Sequence, residues 1–110
     1  MANSPFHVVE TRQFRALFML GAGDDAETVE NVDAELTLPD GSRWSATFMT
    51  LLEIERIMMH WSDTGENRGG TFFRCPDLVI VRSGGISGMV QALEAVFENG
   101  GPQGILEELS

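Results

Sequence analysis

The feature that most constrains this chain is a pair of alternating runs on either side of Pro39-Asp40-Gly41. Val32, Ala34, Leu36 and Leu38 alternate with Asp33, Glu35 and Thr37; Trp44, Ala46 and Phe48 alternate with Arg43, Ser45 and Thr47. A period of two puts successive side chains on opposite faces of a strand, so each run has one face to bury. A two-residue Asp-Gly loop would pair Leu38 with Arg43 and set the two apolar faces on opposite sides. A three-residue Pro-Asp-Gly loop pairs Leu36 with Trp44, Ala34 with Ala46 and Val32 with Phe48. It also places Pro39 and Asp40 in a type I turn with Gly41 left-handed. A slip of one residue would turn every side chain to the wrong face, so the three-residue loop is expected.

The flanking segments add further elements. Residues 6–10 alternate weakly and 14–20 are apolar, which predicts one interrupted strand or two short ones. Thr50-Leu51-Leu52-Glu53 has the form of a capping box, with Thr50 accepting near Glu53 and Glu53 reaching back. A helix is expected from residue 51 to about 63, with Leu51, Ile54, Ile57, Met58 and Trp61 on one side and a stop at Thr64-Gly65. Residues 71–74 and 78–82 are expected as two short strands broken at Pro76-Asp77. The continuous apolar run Leu78-Val79-Ile80-Val81 suggests a central strand buried on both faces. A second helix is predicted from 86 to about 99, ended by Gly100-Gly101, and Pro102 opens a short terminal helix with Ile105, Leu106 and Leu109. The whole predicts an α+β fold in one domain spanning 1–110. It has a mainly antiparallel sheet of about five to six strands, two helices packed on one face, and a short C-terminal helix.

Charge narrows the function classes. The 110 residues carry 17 acids against 7 bases, a formal charge of −10, and every base is arginine. Phosphate backbones and anionic membranes both need a basic footprint, so neither nucleic acid nor membrane is expected as a partner. An acidic surface keeps a chain soluble and attracts basic proteins. Cys75 is the single cysteine, so no intramolecular disulfide forms. The start of the chain has no signal-like segment, and no run approaches the roughly 20 apolar residues of a membrane span. The expected location is cytoplasmic.

No motif carries catalysis or a cofactor, and none is expected. Leu20-Gly21-Ala22-Gly23 lacks the dinucleotide spacing and is followed by Asp24, Asp25 and Glu27, which repel phosphate. Asp24, Asp25, Glu27 and Glu30 do not have the spacing of a calcium loop, and solvation accounts for them. His7 and His60 have no partner that motif or spacing supplies for acid–base work. Cys75 is expected as a half-buried structural thiol. Residues 61–70 are the most distinctive stretch, because an aromatic, two acids, an amide and an arginine lie ahead of Gly69-Gly70. Loops on a rigid scaffold carry function more often than cores do. The candidate partner-binding residues are therefore Asp33 and Glu35 on the polar hairpin face, and Trp61, Glu66, Asn67 and Arg68 in this stretch. Of Phe72 and Phe73, and of Met58 and Met59, one is expected buried and the other exposed.

In size, in the acidity of residues 24–40 (seven acids and no base) and in the lack of catalytic motifs, the chain resembles the small acidic immunity proteins of bacterial toxin systems. Residues 61–70 are also similar to a stretch that recurs in short bacterial proteins of unknown function. The resemblance implies a non-enzymatic protein-interaction module that neutralises or sequesters a basic protein partner through an acidic face. Two alternatives stand beside it. One is a homodimeric structural or regulatory module; the other is a small-ligand-binding domain or enzyme using residues 61–68.

Overall fold

A computed structural model describes residues 5–109; residues 1–4, part of the segment read above as lacking a signal, and residue 110 lie outside this range. The elements are β1 (Phe6–Glu10), β2 (Arg15–Met19), β3 (Asn31–Thr37), β4 (Arg43–Thr50), α1 (Leu51–Thr64), α2 (Glu66–Gly70), β5 (Leu78–Val81), α3 (Ile86–Glu98) and β6 (Glu107–Leu109). The fold is α+β. One six-stranded sheet has the order β1-β2-β3-β4-β5, and β6 also pairs with β4.

The hairpin register follows the expectation residue by residue. Val32 faces Phe48, Ala34 faces Ala46 and Leu36 faces Trp44. Leu38 N–H donates to the Ser42 carbonyl and Gly41 N–H to the Leu38 carbonyl, closing the Pro39-Asp40-Gly41 loop. Gly41 has φ 86°, the left-handed conformation that glycine adopts without a side-chain clash. The antiparallel β1–β2 and β2–β3 pairings extend the same buried face through Ala16 and Phe18. Those residues join Phe14, Leu36, Trp44 and Phe48 in one core. The Trp44 indole N–H donates to Ser42 Oγ, so the buried ring keeps its polar edge satisfied.

The far edge of β4 is shared by two strands. Residues 47–50 pair in parallel with β5, and residues 43–45 pair antiparallel with β6. This corrects two expectations. Residues 71–74 form no strand, because β4 has no free edge left to receive one. β5 is an edge strand rather than a central one: Val81 is buried, while Ile80 is 51 % exposed. The terminal segment begins with the expected helical turn, in which Leu106 N–H donates to the Pro102 carbonyl, and continues as β6.

The two long helices differ in how deeply they are buried. α3 buries Ile86, Met89 and Leu93 in the core and stacks Phe97 on Phe14 at 5.3 Å. α1 has no buried residue and contributes none to the core. It starts on the residue after β4 ends, so it grows from the sheet without a linker that would let it fold back. Its main packing is against β4 and the α2 turn. The radius of gyration, 14.7 Å, exceeds the roughly 13 Å of a compact chain of this length, as a projecting lobe requires.

The two helices predict opposite responses to truncation. Leu93→Ala is expected to lower the unfolding free energy by about 2–5 kcal/mol in urea titration, and Met59→Ala by less than about 0.5 kcal/mol.

Candidate functional site

The lobe built by α1, α2 and the segment returning to β5 is anchored at its base by a polar cluster. Thr50 Oγ1 accepts from Glu53 N–H at 3.1 Å, which is half of the expected capping box. The other half is replaced. Thr50 N–H is taken by the Glu30 carbonyl, and the Glu53 carboxylate instead accepts from Arg56 and Asn31. Glu30 accepts from Thr50 Oγ1 at 2.8 Å and pairs with Arg56 at 3.1 Å. Those hydrogen bonds hold the Glu30 carboxyl below its ordinary range. An acid of the β2–β3 connection thus ties down the first turn of α1.

At its far end the lobe closes through a left-handed turn. Gly65 caps α1 in the left-handed conformation, donating its N–H to the Trp61 carbonyl. Asn67 (φ 47°) and Arg68 (φ 57°) follow in the same region, where a non-glycine residue costs about 1–2 kcal/mol. The chain then passes so close to α1 that a Cβ on Gly70 would lie 2.0 Å from the Met58 carbonyl oxygen. Trp61 stacks on Phe73 at 5.6 Å, bracing the return segment against the helix.

The product is an apolar helix face that the described chain leaves open. Leu51, Ile54, Met58 and Met59, with Gly69 and Gly70 opposite, line a shallow groove of about 400 Å³. Leu51 is 68 % exposed and Met59 64 %. Of the expected splits the exposed halves hold, at Met59 and Phe72, while Met58 and Phe73 are half-buried rather than buried.

The candidate residues fall in two separate groups. Asp33 and Glu35 lie on the solvent face of β3. There Asp33 accepts from Thr47 Oγ1 and Glu35 pairs with Arg43, so a cation already offsets part of that face. Trp61, Glu66, Asn67 and Arg68 sit at the tip of the lobe. None of them, nor His60, lines the groove beside it. The tip therefore presents no convergent set of titratable groups. Asp24 and Asp25 accept from backbone N–H groups of their own loop, at Gly21 and Glu27. Among the described residues no three His, Cys, Asp or Glu side chains are placed to hold a metal ion.

Sequence reasoning passed over Asp77, which occupies the junction where β5 and β6 meet on β4. Its carboxylate accepts from Ser45 Oγ at 2.7 Å and from the Cys75 thiol at 3.2 Å, and its carbonyl accepts from Thr47 N–H. Partial burial opposes ionisation of Asp77, but the side-chain donors Ser45, Cys75 and Thr47 outweigh it and hold the carboxyl below its ordinary range. Burial, then the bond to Asp77, raises the Cys75 thiol above its ordinary range. A half-buried thiol in that state is a poor nucleophile.

Comparison with family models, with curated proteins and with solved structures returns no match. Among the described residues no helix is long and apolar enough to cross a membrane.

A carboxyl depressed in the folded state contributes stability above its unfolded pKa and loses it as pH falls through the folded value. Asp77→Ala is expected to cost about 1 kcal/mol at pH 7. The difference from wild type should shrink as pH falls from the ordinary carboxylate range to below the folded value, where Asp77 is protonated in both the folded and the unfolded wild-type chain; urea titrations across the acid range measure it.

Proposed function

We propose that the protein acts by contact with other proteins rather than by catalysis, and that it does so as a homodimer joined through the α1 lobe. The observation that carries this is α1 itself, an amphipathic helix of 14 residues with no buried side chain. An isolated helix of that length is marginal in water, and its stability normally comes from packing one apolar face. Exposed apolar side chains gathered in one region mark interaction surfaces. Leu51, Leu52, Met59, Phe72 and Ile80 are all exposed in this third of the chain.

Charge favours a second copy as the occupant. Residues 51–82 hold five carboxylates (Glu53, Glu55, Asp63, Glu66 and Asp77) and four arginines (Arg56, Arg68, Arg74 and Arg82). That region has a net charge of −1 in a chain of −10, so two copies meet on it with little repulsion. A stable pair needs about 800 Å² from each copy, a small part of the 7079 Å² the chain exposes.

Such a dimer turns the acidic remainder outward. That arrangement suits capture of a basic protein, the role implied by the resemblance to immunity proteins, because complementary charge accelerates association. A lone cysteine without a disulfide partner accords with a cytoplasmic setting. The groove beside the lobe tip is lined by none of Glu66, Asn67 and Arg68, which gives the ligand-binding alternative no support there.

Light scattering on the purified chain is expected to give twice the chain mass at micromolar concentration. Leu51→Glu with Met59→Glu should reduce it to the monomer with the far-ultraviolet circular dichroism unchanged. A concentration-independent monomer in the wild type contradicts the homodimer.

A further inference from the structure

A second surface, remote from the lobe, has the geometry of a strand-accepting groove. β1 pairs with β2 on one side, and among the described residues no strand pairs with its other side. Two bonds at the ends of the β1–β2 ladder fix which backbone groups face that outer side. Leu20 N–H donates to the Pro5 carbonyl, and Thr11 N–H donates to the Phe14 carbonyl. Hydrogen-bonded pairs alternate along an antiparallel ladder, so His7 and Val9 bond to β2 while Val8 and Glu10 turn their N–H and C=O groups outward.

Beneath this edge lies a groove of about 570 Å³, between β1, the loop at residues 26–27 and α3. Its walls include Val9, Ala26, Ile86 and Val90, and two carboxylates, Glu27 and Glu94, stand in its lining. Neither has an arginine partner among the described residues, in contrast to Glu10, Glu30, Glu35 and Glu53. Glu27 lies where α3 begins, since Ile86 N–H donates to the adjacent Ala26 carbonyl. Glu94 lies eight residues along α3 from Ile86, roughly 12 Å at 1.5 Å per residue.

We infer that β1 and α3 together accept an extended, basic peptide segment of a partner protein as an added strand. An added strand bonds to the outward groups of Val8 and Glu10 and sends alternate side chains into the groove. Residues four apart on a strand are separated by roughly 13 Å and share a face. That span is close to the roughly 12 Å rise of α3 from Ile86, which bonds to the loop residue next to Glu27, to Glu94. The occupant is therefore a segment with arginine or lysine at its first and fifth positions and an apolar side chain at the third, set between Val9 and Val90. The chemistry differs from that of the lobe, where the surface is nearly neutral and suited to a second copy. The acidic character of the whole chain draws a basic segment towards this edge.

The test uses a fluorescein-labelled peptide, Gly-Arg-Thr-Val-Thr-Arg-Gly, titrated with the full chain in fluorescence polarisation and followed by amide chemical shifts in nuclear magnetic resonance. Binding with shifts centred on Val8, Glu10 and α3 is expected. Glu27→Gln with Glu94→Gln, both at positions that make no described side-chain bond, should weaken it at least about tenfold. Replacing either threonine with proline, which removes a strand N–H, should weaken it comparably. Equal binding of a peptide with both arginines changed to glutamate would overturn the inference. So would shifts centred on the lobe or indifference to the double variant, and so would no shift at about 1 mM peptide. Repeating the titration on the Leu51→Glu, Met59→Glu chain separates the two surfaces: peptide binding persists there whether or not the wild type is a dimer.

Discussion

The register of β3 against β4 is the constraint on which the rest of the molecule depends. Ala34 and Ala46 meet at its centre, with Leu36 beside Trp44 on one side and Val32 beside Phe48 on the other. A slip of one residue would either turn Trp44 and Phe48 of β4 to water or turn Asp33 and Glu35 of β3 to the core. With the register fixed, β2 adds Ala16 and Phe18 to the same face, and α3 closes the core over them. The register also fixes where β4 ends. Thr50 is at once the last residue of the strand and the N-cap of α1, so the direction of the helix is set by the sheet.

The opposite edge of β4 shows how few contacts hold the remaining chain in place. β5 and β6 divide that edge between them, and Asp77 bonds to Ser45, Thr47 and Cys75 where they meet. At the base of the lobe, Glu30 does similar work by binding both Thr50 and Arg56. Two acids that look like part of a solvated excess in the sequence are structural, because each finds several donors brought from distant parts of the chain.

Where local pattern determined the outcome, the sequence was readable. Period two around Pro39-Asp40-Gly41 gave the register, Gly65 gave the end of α1, and the spacing of Ile86, Met89 and Leu93 gave the buried face of α3. What could not be read was which apolar face meets which. Leu51, Ile54 and Met58 have the spacing of a core-facing stripe, and nothing in that spacing says that the core lies elsewhere. The run Leu78-Val79-Ile80-Val81 likewise has the composition of a central strand, yet it forms an edge. Both misplacements involve apolar surface that the described chain does not cover. Of the candidate residues, Asp33 and Glu35 were rightly placed on a polar strand face. At the tip, Asn67 and Arg68 take left-handed backbone in a tight turn, and neither they nor Glu66 line the groove beside it. The groove between β1 and α3 was illegible, because Glu27 and Glu94 come to line one groove only through the packing of α3.

A covered α1 lobe is the central claim, and amide hydrogen exchange of the intact chain at several protein concentrations tests it most directly. Exchange at α1 is expected to slow as concentration rises, because association buries its apolar face, while exchange in β3 and β4 within the monomer core changes little. Protection of α1 that is the same at every concentration, in a chain that stays monomeric, would contradict the account.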